Sequence, residues 1–509
     1  MTLYRDTRGL VERPRTFTEA LLDGIAPGGG LYVPEHLPSL AAPDLVRLST
    51  LPYAGRAAAV YEAFAPDVPP DRIADIAALA YGENFDDPEV APVRDLGDGR
   101  FVLELWHGPT LAFKDMALQC MPLFFAEALE LAHQRGTTDL DFLILVATSG
   151  DTGVAALNGF ADRAHTRIAV MYPDAGVSAI QERQMVTQPG DNLTVFRVEG
   201  DFDACQSAVK AVFDDEAFAA ELATRHRLAM SSANSINWGR LLPQVVYYVS
   251  AYADLVARGR VAAGAPVDVC VPTGNFGDIL AGYYAKRMGV PIRRLLCASN
   301  TNRVLADFIA SGVYDIAGRD LVKTPSPSMD ILVSSNLERL LFDLCGDPER
   351  VRRWMADLAT QRVFRVDAAT LDRLQAEFVG GWVDNDTCLR TIGAVQRERG
   401  YLLDPHTAVA WTVAARLAED APVLVVATAH WAKFPADVVR GLTGLADGAP
   451  LGEHDDFALL DRVAELVPGA RVPASLEAVR ARPRRFDTRI AGRRDDVERA
   501  LLGWLSGEG

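Results

Sequence analysis

The sequence predicts an α/β protein, with parallel sheets covered by helices and a mainly helical segment in front. Three observations predict this. From about residue 95 onward, short apolar runs rich in β-branched residues alternate with longer helical periods. Two of those runs end in glycine-rich turns that open directly into helices. The first 95 residues lack the alternation and show short helical patterns punctuated by proline.

In that first segment, Thr16-Phe17-Thr18-Glu19-Ala20 reads as a cap followed by a short helix. Gly28-Gly29-Gly30 is a turn before Leu31-Tyr32-Val33-Pro34, and Pro66, Pro69 and Pro70 separate further short helices. Few residues there suit chemistry, so the segment reads as a cap packed on the next domain. The spacing then predicts strands over 142–147, 168–172, 193–198, 267–271, 293–298 and 423–427. It predicts helices over 114–133, 153–164, 204–214, 238–257, 278–288 and 302–310. Residues from about 336 to 400 read as all-helical. The tail beyond Gly448 is helical and arginine-rich, but its arginines are interleaved with Asp and Glu, which predicts a solvated face. The expected divisions are 1–95, 96–445 and 446–509.

Composition narrows the function. A chain of 509 residues, 49% hydrophobic and 23% charged, is ordinary for a soluble globular protein and long enough for several domains. A net charge of −17 argues against nucleic acid or an anionic membrane as partner. An anionic substrate would therefore need local cations or backbone amides. Six scattered cysteines without a CxxC pair fit a reducing compartment. No apolar run follows the N-terminal charges and none reaches spanning length, so a cytoplasmic location is expected. HExxH and GxSxG are missing and the eight histidines are dispersed, so no metal is expected.

Four stretches carry chemistry. In LELWHGPTLAFKDMALQ, Lys114 lies among Leu111, Ala112, Phe113, Met116, Ala117 and Leu118, at a helix start. Apolar surroundings and the positive dipole end both disfavour its charged form, as a reactive amine requires. Taken alone, Lys114 would read as a stem on apolar surface with its head in water. In ATSGDTG, Ser149 and Thr152 flank Gly150 and Asp151 between a strand and a helix. Free amides at such a start cradle a carboxylate or phosphate. PTGNFGD repeats the design at Thr273–Asp278 but matches neither a Walker loop nor GxGxxG. In VVATAHWAKF, a strand delivers Thr428, then His430 and Lys433. A hydroxyl at a strand end can meet a neutral ring nitrogen. A reactive lysine, two anion cradles and a ring-nitrogen partner are together what pyridoxal 5'-phosphate with an amino-acid substrate requires.

The four blocks HGPTLAFKD, ATSGDTG, PTGNFGD and TAHWAKF stand in the order found in threonine synthases. GIAPGGGLYVPE, NSINWGRLLPQVVYY, SSNLERLLF and DPHTAVA extend the likeness up to about Pro435. The chain resembles the longer microbial and fungal type of that family. The resemblance implies the tryptophan-synthase-β fold type, pyridoxal-phosphate fold type II, with two parallel-sheet α/β halves behind an N-terminal helical domain. It implies a carbon–oxygen lyase that converts O-phospho-L-homoserine and water to L-threonine and phosphate. Lys114 would hold the cofactor as a Schiff base. Gly274, Asn275, Phe276 and Asp278 would line its phosphate loop, with Gly277 allowing the turn, and Thr428 would meet the pyridine nitrogen. Ser149, Asp151 and Thr152 would take the substrate carboxylate, and Arg240 and Lys433 the leaving phosphate. A monomer or homodimer is expected. One departure is visible: Trp431 stands where the family commonly has proline. It leaves room for a phospho-lyase releasing 2-oxobutyrate, or a paralogue acting on another γ-substituted amino acid. A non-catalytic relative is the remaining alternative.

Overall fold

A short antiparallel pair ties the N-terminal segment together: β1, Tyr4–Asp6, against β2, Tyr32–Pro34. The structure is a computed structural model that describes residues 2–174, 176–452 and 455–507. Thr16 caps the helix Phe17–Asp23, and Glu19 completes the reciprocal capping box the sequence predicts. Helices Ala42–Ser49 and Tyr53–Phe64 pack on the long helix Trp238–Ala257. The segment is thus a cap, but it sits on a helix more than 150 residues further along.

Two sheets follow. Strands β3, Val93–Asp95, and β4, Arg100–Glu104, pair antiparallel and begin the first. Strands β5, Asp141–Ala147, β6, Thr166–Pro173, β7, Leu193–Val198, and β8, Leu228–Ser232, are parallel and form the second. The chain then returns to the first sheet with β9, Val267–Pro272, and β10, Ile292–Ser299. A hairpin-like pair, β11, Val313–Asp315, and β12, Val363–Arg365, lies apart. Strands β13, Phe378–Trp382, and β14, Val423–Ala427, complete the first sheet, and β15, Arg489–Ile490, joins the edge of the second. The orders are β13-β10-β9-β14-β4-β3 and β15-β7-β6-β5-β8, with only β3 antiparallel. Every residue of β9 and β14 is buried, as both faces being covered by helices requires.

Three readings of the sequence need correction. The single helix expected over 114–133 is two, Lys114–Leu118 and Met121–Gln134. Pro122 sits at the start of the second, where it has no N–H to offer and would crowd the Leu118 carbonyl in a continuous helix. The stretch from 336 to 400 is not all-helical, because β12 and β13 lie in it. β13 reads FVGGW, and its glycines hide the strand signal. They are there for space: a Cβ on Gly380 would meet the Ala306 backbone at 2.8 Å, and one on Gly381 would meet Val413 at the same distance. The arginine-rich tail is not merely solvated. Arg484 pairs with Glu182 at 2.6 Å, Arg494 with Asp215 at 2.8 Å, and Arg489 with Asp174, tying β15 and the helix Arg494–Leu505 to the second sheet.

Among the described residues no helix is long and apolar enough to cross a membrane, and no cluster could hold a metal ion. All six cysteines are free thiols.

The helix Asp151–Phe160 lies tight on Lys114–Leu118: a Cβ at Gly159 would sit 1.9 Å from the Leu118 carbonyl oxygen. Gly159→Ala is therefore expected to destabilise the protein by about 3 kcal/mol, read from urea unfolding. An unchanged midpoint would contradict this packing.

Candidate active site

The carboxyl ends of strands from both sheets face one cleft, the place where open parallel sheets take ligands. Its wall includes Lys114, Thr152, Arg240, the loop Thr273–Asp278 and Thr428. Each came from a different stretch of the sequence.

Lys114 opens its helix and is partly buried. The loop before it is stitched to the end of β14. The Phe113 amide donates to the Thr428 carbonyl at 2.8 Å, and the His430 amide donates to the Leu111 carbonyl at 3.0 Å. Asp115 accepts from the Thr110 amide at 2.8 Å and the Thr110 hydroxyl at 2.7 Å. Burial nonetheless pushes its carboxyl up to about 6. The Lys114 ammonium lies 4.3 Å from the centre of the Phe113 ring. Desolvation is the largest influence on it and brings its pKa down to about 8; Asp151 and Asp278 oppose that fall, while Arg240 and Lys433 add to it.

The turn after β5 is shaped by Thr148, whose hydroxyl oxygen accepts from the amides of Gly150 at 2.9 Å and Gly153 at 2.8 Å. Gly150 has φ +137°, and a Cβ there would meet Gln181 at 2.4 Å, so only glycine fits. Among the described residues the amides of Asp151 and Thr152 have no acceptor. Thr152 lines the cleft, whereas Ser149 and Asp151 are not part of its wall. The Asp151 carboxylate accepts from Gln181 at 2.9 Å and pairs with Lys433 at 3.0 Å. Burial alone would raise it, but Lys433 and Lys114 hold it well below the usual carboxylate range.

The loop after β9 is pinned from outside. Ser334 donates to the Gly274 carbonyl at 2.5 Å, and the Asn336 amide to the Asn275 carbonyl at 3.1 Å. A Cβ on Gly274 would meet Met329 and Ser328 backbone at 3.0 Å. Phe276 is left-handed at φ 64°, which turns the chain into the helix Gly277–Met288. Among the described residues the amides of Asn275, Gly277 and Asp278 have no acceptor. Asp278 accepts from Tyr247 at 2.5 Å and Tyr248 at 2.6 Å, yet its second oxygen is unpartnered and burial pushes it up to about 6. It therefore does more than offset a helix dipole.

Arg240 is 2% exposed and bonds the Ala233 carbonyl at 2.6 Å. Its Nε has no partner, and among the described residues no carboxylate lies within ion-pair distance. Burial pulls the guanidinium down to about 10. A buried cation left so, in the wall of a cleft, calls for an anion. Together with two sets of free amides and a depressed lysine, it fits a phosphorylated aldehyde cofactor and an anionic substrate.

Lys433 does not reach the cleft. Its ammonium is 0% exposed and contacts Asp151, the Thr110 carbonyl at 3.0 Å and Gln184 at 2.6 Å. Three acceptors match its three N–H groups, so none remains for a leaving phosphate. Trp431 also faces elsewhere, into a niche with Trp106, Tyr401 and Leu403. His430 is held neutral by burial, which pulls it down to about 3.

The sequence reading missed several wall residues: Ser235, Gln244, Ser328 and His406. His406 accepts from the Ser328 amide at 3.2 Å. Ser235, Gln244 and His406 lay inside blocks already matched to the family; Ser328 had no local signal. His107 stands at the head of the loop that leads to Lys114. It bridges Asp86 at 2.6 Å and Glu104 at 2.9 Å. Burial would lower it, but those two carboxylates raise it to about 9.

Such a cleft between two parallel sheets defines the class of pyridoxal-phosphate-dependent enzymes, and the family model with that description matches residues 92–429. Flanking models for the threonine synthase N terminus and C-terminal region match 3–81 and 407–499. The chain belongs to the threonine synthase family. It is 37% identical to the threonine synthase of Eremothecium gossypii, over 91% of this chain and 93% of that one. It is 45% identical to threonine synthase-like 1 of Macaca fascicularis over 84% of this chain, but spans only 58% of that relative's length. The crystal structure of pyridoxal-phosphate-bound threonine synthase from Brucella melitensis superposes with a TM-score of 0.85 at 38% identity, covering 98% and 99% of the two chains.

With its pKa near 8, about half of Lys114 is uncharged at pH 8, against under about 1% for an ordinary lysine. In cofactor-free protein, reductive methylation of Lys114 followed by mass spectrometry should half-rise near pH 8. A half-rise above pH 10 would contradict the desolvated site.

Proposed function

We propose that this chain catalyses the conversion of O-phospho-L-homoserine and water to L-threonine and phosphate. The carrying observation is Arg240, a buried guanidinium without a carboxylate partner among the described residues, in one cleft with Lys114 and Thr152. An amino acid whose far end is a second anion suits that arrangement.

When bound, pyridoxal 5'-phosphate supplies an electron sink beside the substrate amine. Lys114 would hold it, and the Lys114 amine, tethered at the site and about half uncharged at pH 8, would move the proton at Cα. Gly274, Asn275, Phe276, Gly277 and Asp278 offer backbone amides to its phosphate. Thr428 would be the hydroxyl partner of its ring nitrogen, and a hydroxyl, unlike a carboxylate, would not hold that nitrogen protonated. Ser149, Asp151 and Thr152 form the turn for the substrate carboxylate. Arg240 takes the phosphate that leaves Cγ. The reaction makes the protein a carbon–oxygen lyase that closes threonine biosynthesis.

The expected divisions 1–95, 96–445 and 446–509 are retained in this reading, as are a cytoplasmic location and a monomer or homodimer. With Trp431 turned from the cleft, nothing there favours a phospho-lyase.

Mass spectrometry of the products from O-phospho-L-homoserine tests the proposal. Threonine with equimolar phosphate is expected, and 2-oxobutyrate as the main product would refute it. Lys114→Ala should lower kcat by about 10³-fold or more. Arg240→Ala should raise KM for phosphohomoserine by about 10- to 100-fold. An Arg240→Ala protein with unaltered KM would move the phosphate elsewhere.

A further inference from the structure

Lys433 and Asp151 form an ion pair behind the cleft that the proposed chemistry does not use. The carboxylate of Asp151 stands at the first residue of the helix Asp151–Phe160, beside the free amides of Asp151 and Thr152. A fixed negative charge there suits the helix dipole but competes with a second anion for the same amides. Left uncompensated, it would neutralise the positive end of the helix and repel a second carboxylate arriving there. Ser328 approaches it at 3.3 Å and Gln181 donates at 2.9 Å, but neither carries charge. Lys433 and Lys114 both act on that charge, but only Lys433, which is wholly buried, pairs with it in direct contact.

The same ammonium does a second thing. It bonds the Thr110 carbonyl, in the loop that leads to Lys114, and Gln184, on the helix Ala179–Val186. That helix also supplies Gln181, which fills the space a side chain at Gly150 would need. One buried charge therefore connects the loop of the reactive lysine, the carboxylate turn and a helix of the second sheet.

We infer that Lys433 is a positioning residue that cancels the charge of Asp151 and fixes its turn, so that the turn's amides can donate to a substrate carboxylate. This rests on the reading that the turn takes that carboxylate. It differs from a role at the leaving phosphate, and the two are separable by ligand.

The test uses holoenzyme and two probes, L-2-aminobutyrate, which has a carboxylate and no phosphate, and inorganic phosphate. Binding is read by calorimetry and by the cofactor absorbance. Lys433→Met should weaken L-2-aminobutyrate by about tenfold or more and leave phosphate affinity within about twofold. The double variant Lys433→Met/Asp151→Asn removes both charges and should bind L-2-aminobutyrate within about threefold of the parent, which also covers the event that the single variant does not fold. The inference is overturned by unaltered L-2-aminobutyrate binding in Lys433→Met, by a loss of phosphate affinity instead, or by a double variant no better than about tenfold weakened. A parent holoenzyme that binds the probe but makes no threonine would sink the proposed activity and leave this comparison standing.

Discussion

A lysine amine kept away from water, yet open to a ligand, is the constraint on which the rest of this structure depends. Burial of an ammonium among apolar groups costs several kcal/mol unless neighbours compensate it. Here Asp151 and Asp278 compensate only in part, because Arg240 and Lys433 act in the opposite sense. The outcome is an amine about half uncharged near pH 8. Holding it there takes a loop stitched to β14, a helix of five residues cut short before Pro122, and a glycine at 159 that lets two helices touch.

Two parallel sheets serve the same end. Each delivers a turn with free amides at its carboxyl edge, and the two edges face one cleft. Anions can then be held by backbone dipoles, at little cost to a chain whose net charge is −17. The N-terminal segment contributes indirectly. Its helices support Trp238–Ala257, the helix that carries Arg240 and the tyrosines gripping Asp278. Asp86 also reaches His107, at the head of the Lys114 loop.

Much of this was legible in the sequence because the relevant signals are local. The runs that became β5 and β14 are apolar throughout and that of β9 is broken only by Asp268, and each is followed at once by its turn, so strand, turn and helix could be read together. Lys114, Thr152, Phe276 and Thr428 all fell into the cleft from such readings. What was not legible depends on partners far along the chain. β13 is masked by two glycines whose purpose is contact with Ala306 and Val413. The arginines of the tail look solvated until Asp174, Glu182 and Asp215 are brought to them. Lys433 sits in a family block and looks like a phosphate ligand, but its acceptors lie hundreds of residues away.

That last case shows why a charge near a site need not face it. Arg240 and Lys433 are both buried cations close to Lys114, and sequence alone treats them alike. The structure separates them by valence: Lys433 has three acceptors for three N–H groups, one of them a carboxylate, while Arg240 has a single carbonyl and an idle Nε. A satisfied cation supports the fold around it, whereas an unsatisfied one retains binding capacity for a ligand. The planar guanidinium, with donors to spare, suits a phosphate that must be gripped and then released, and the compact ammonium suits a permanent buried contact. The different roles proposed for the two cations thus rest on counting their donors, before any substrate is considered.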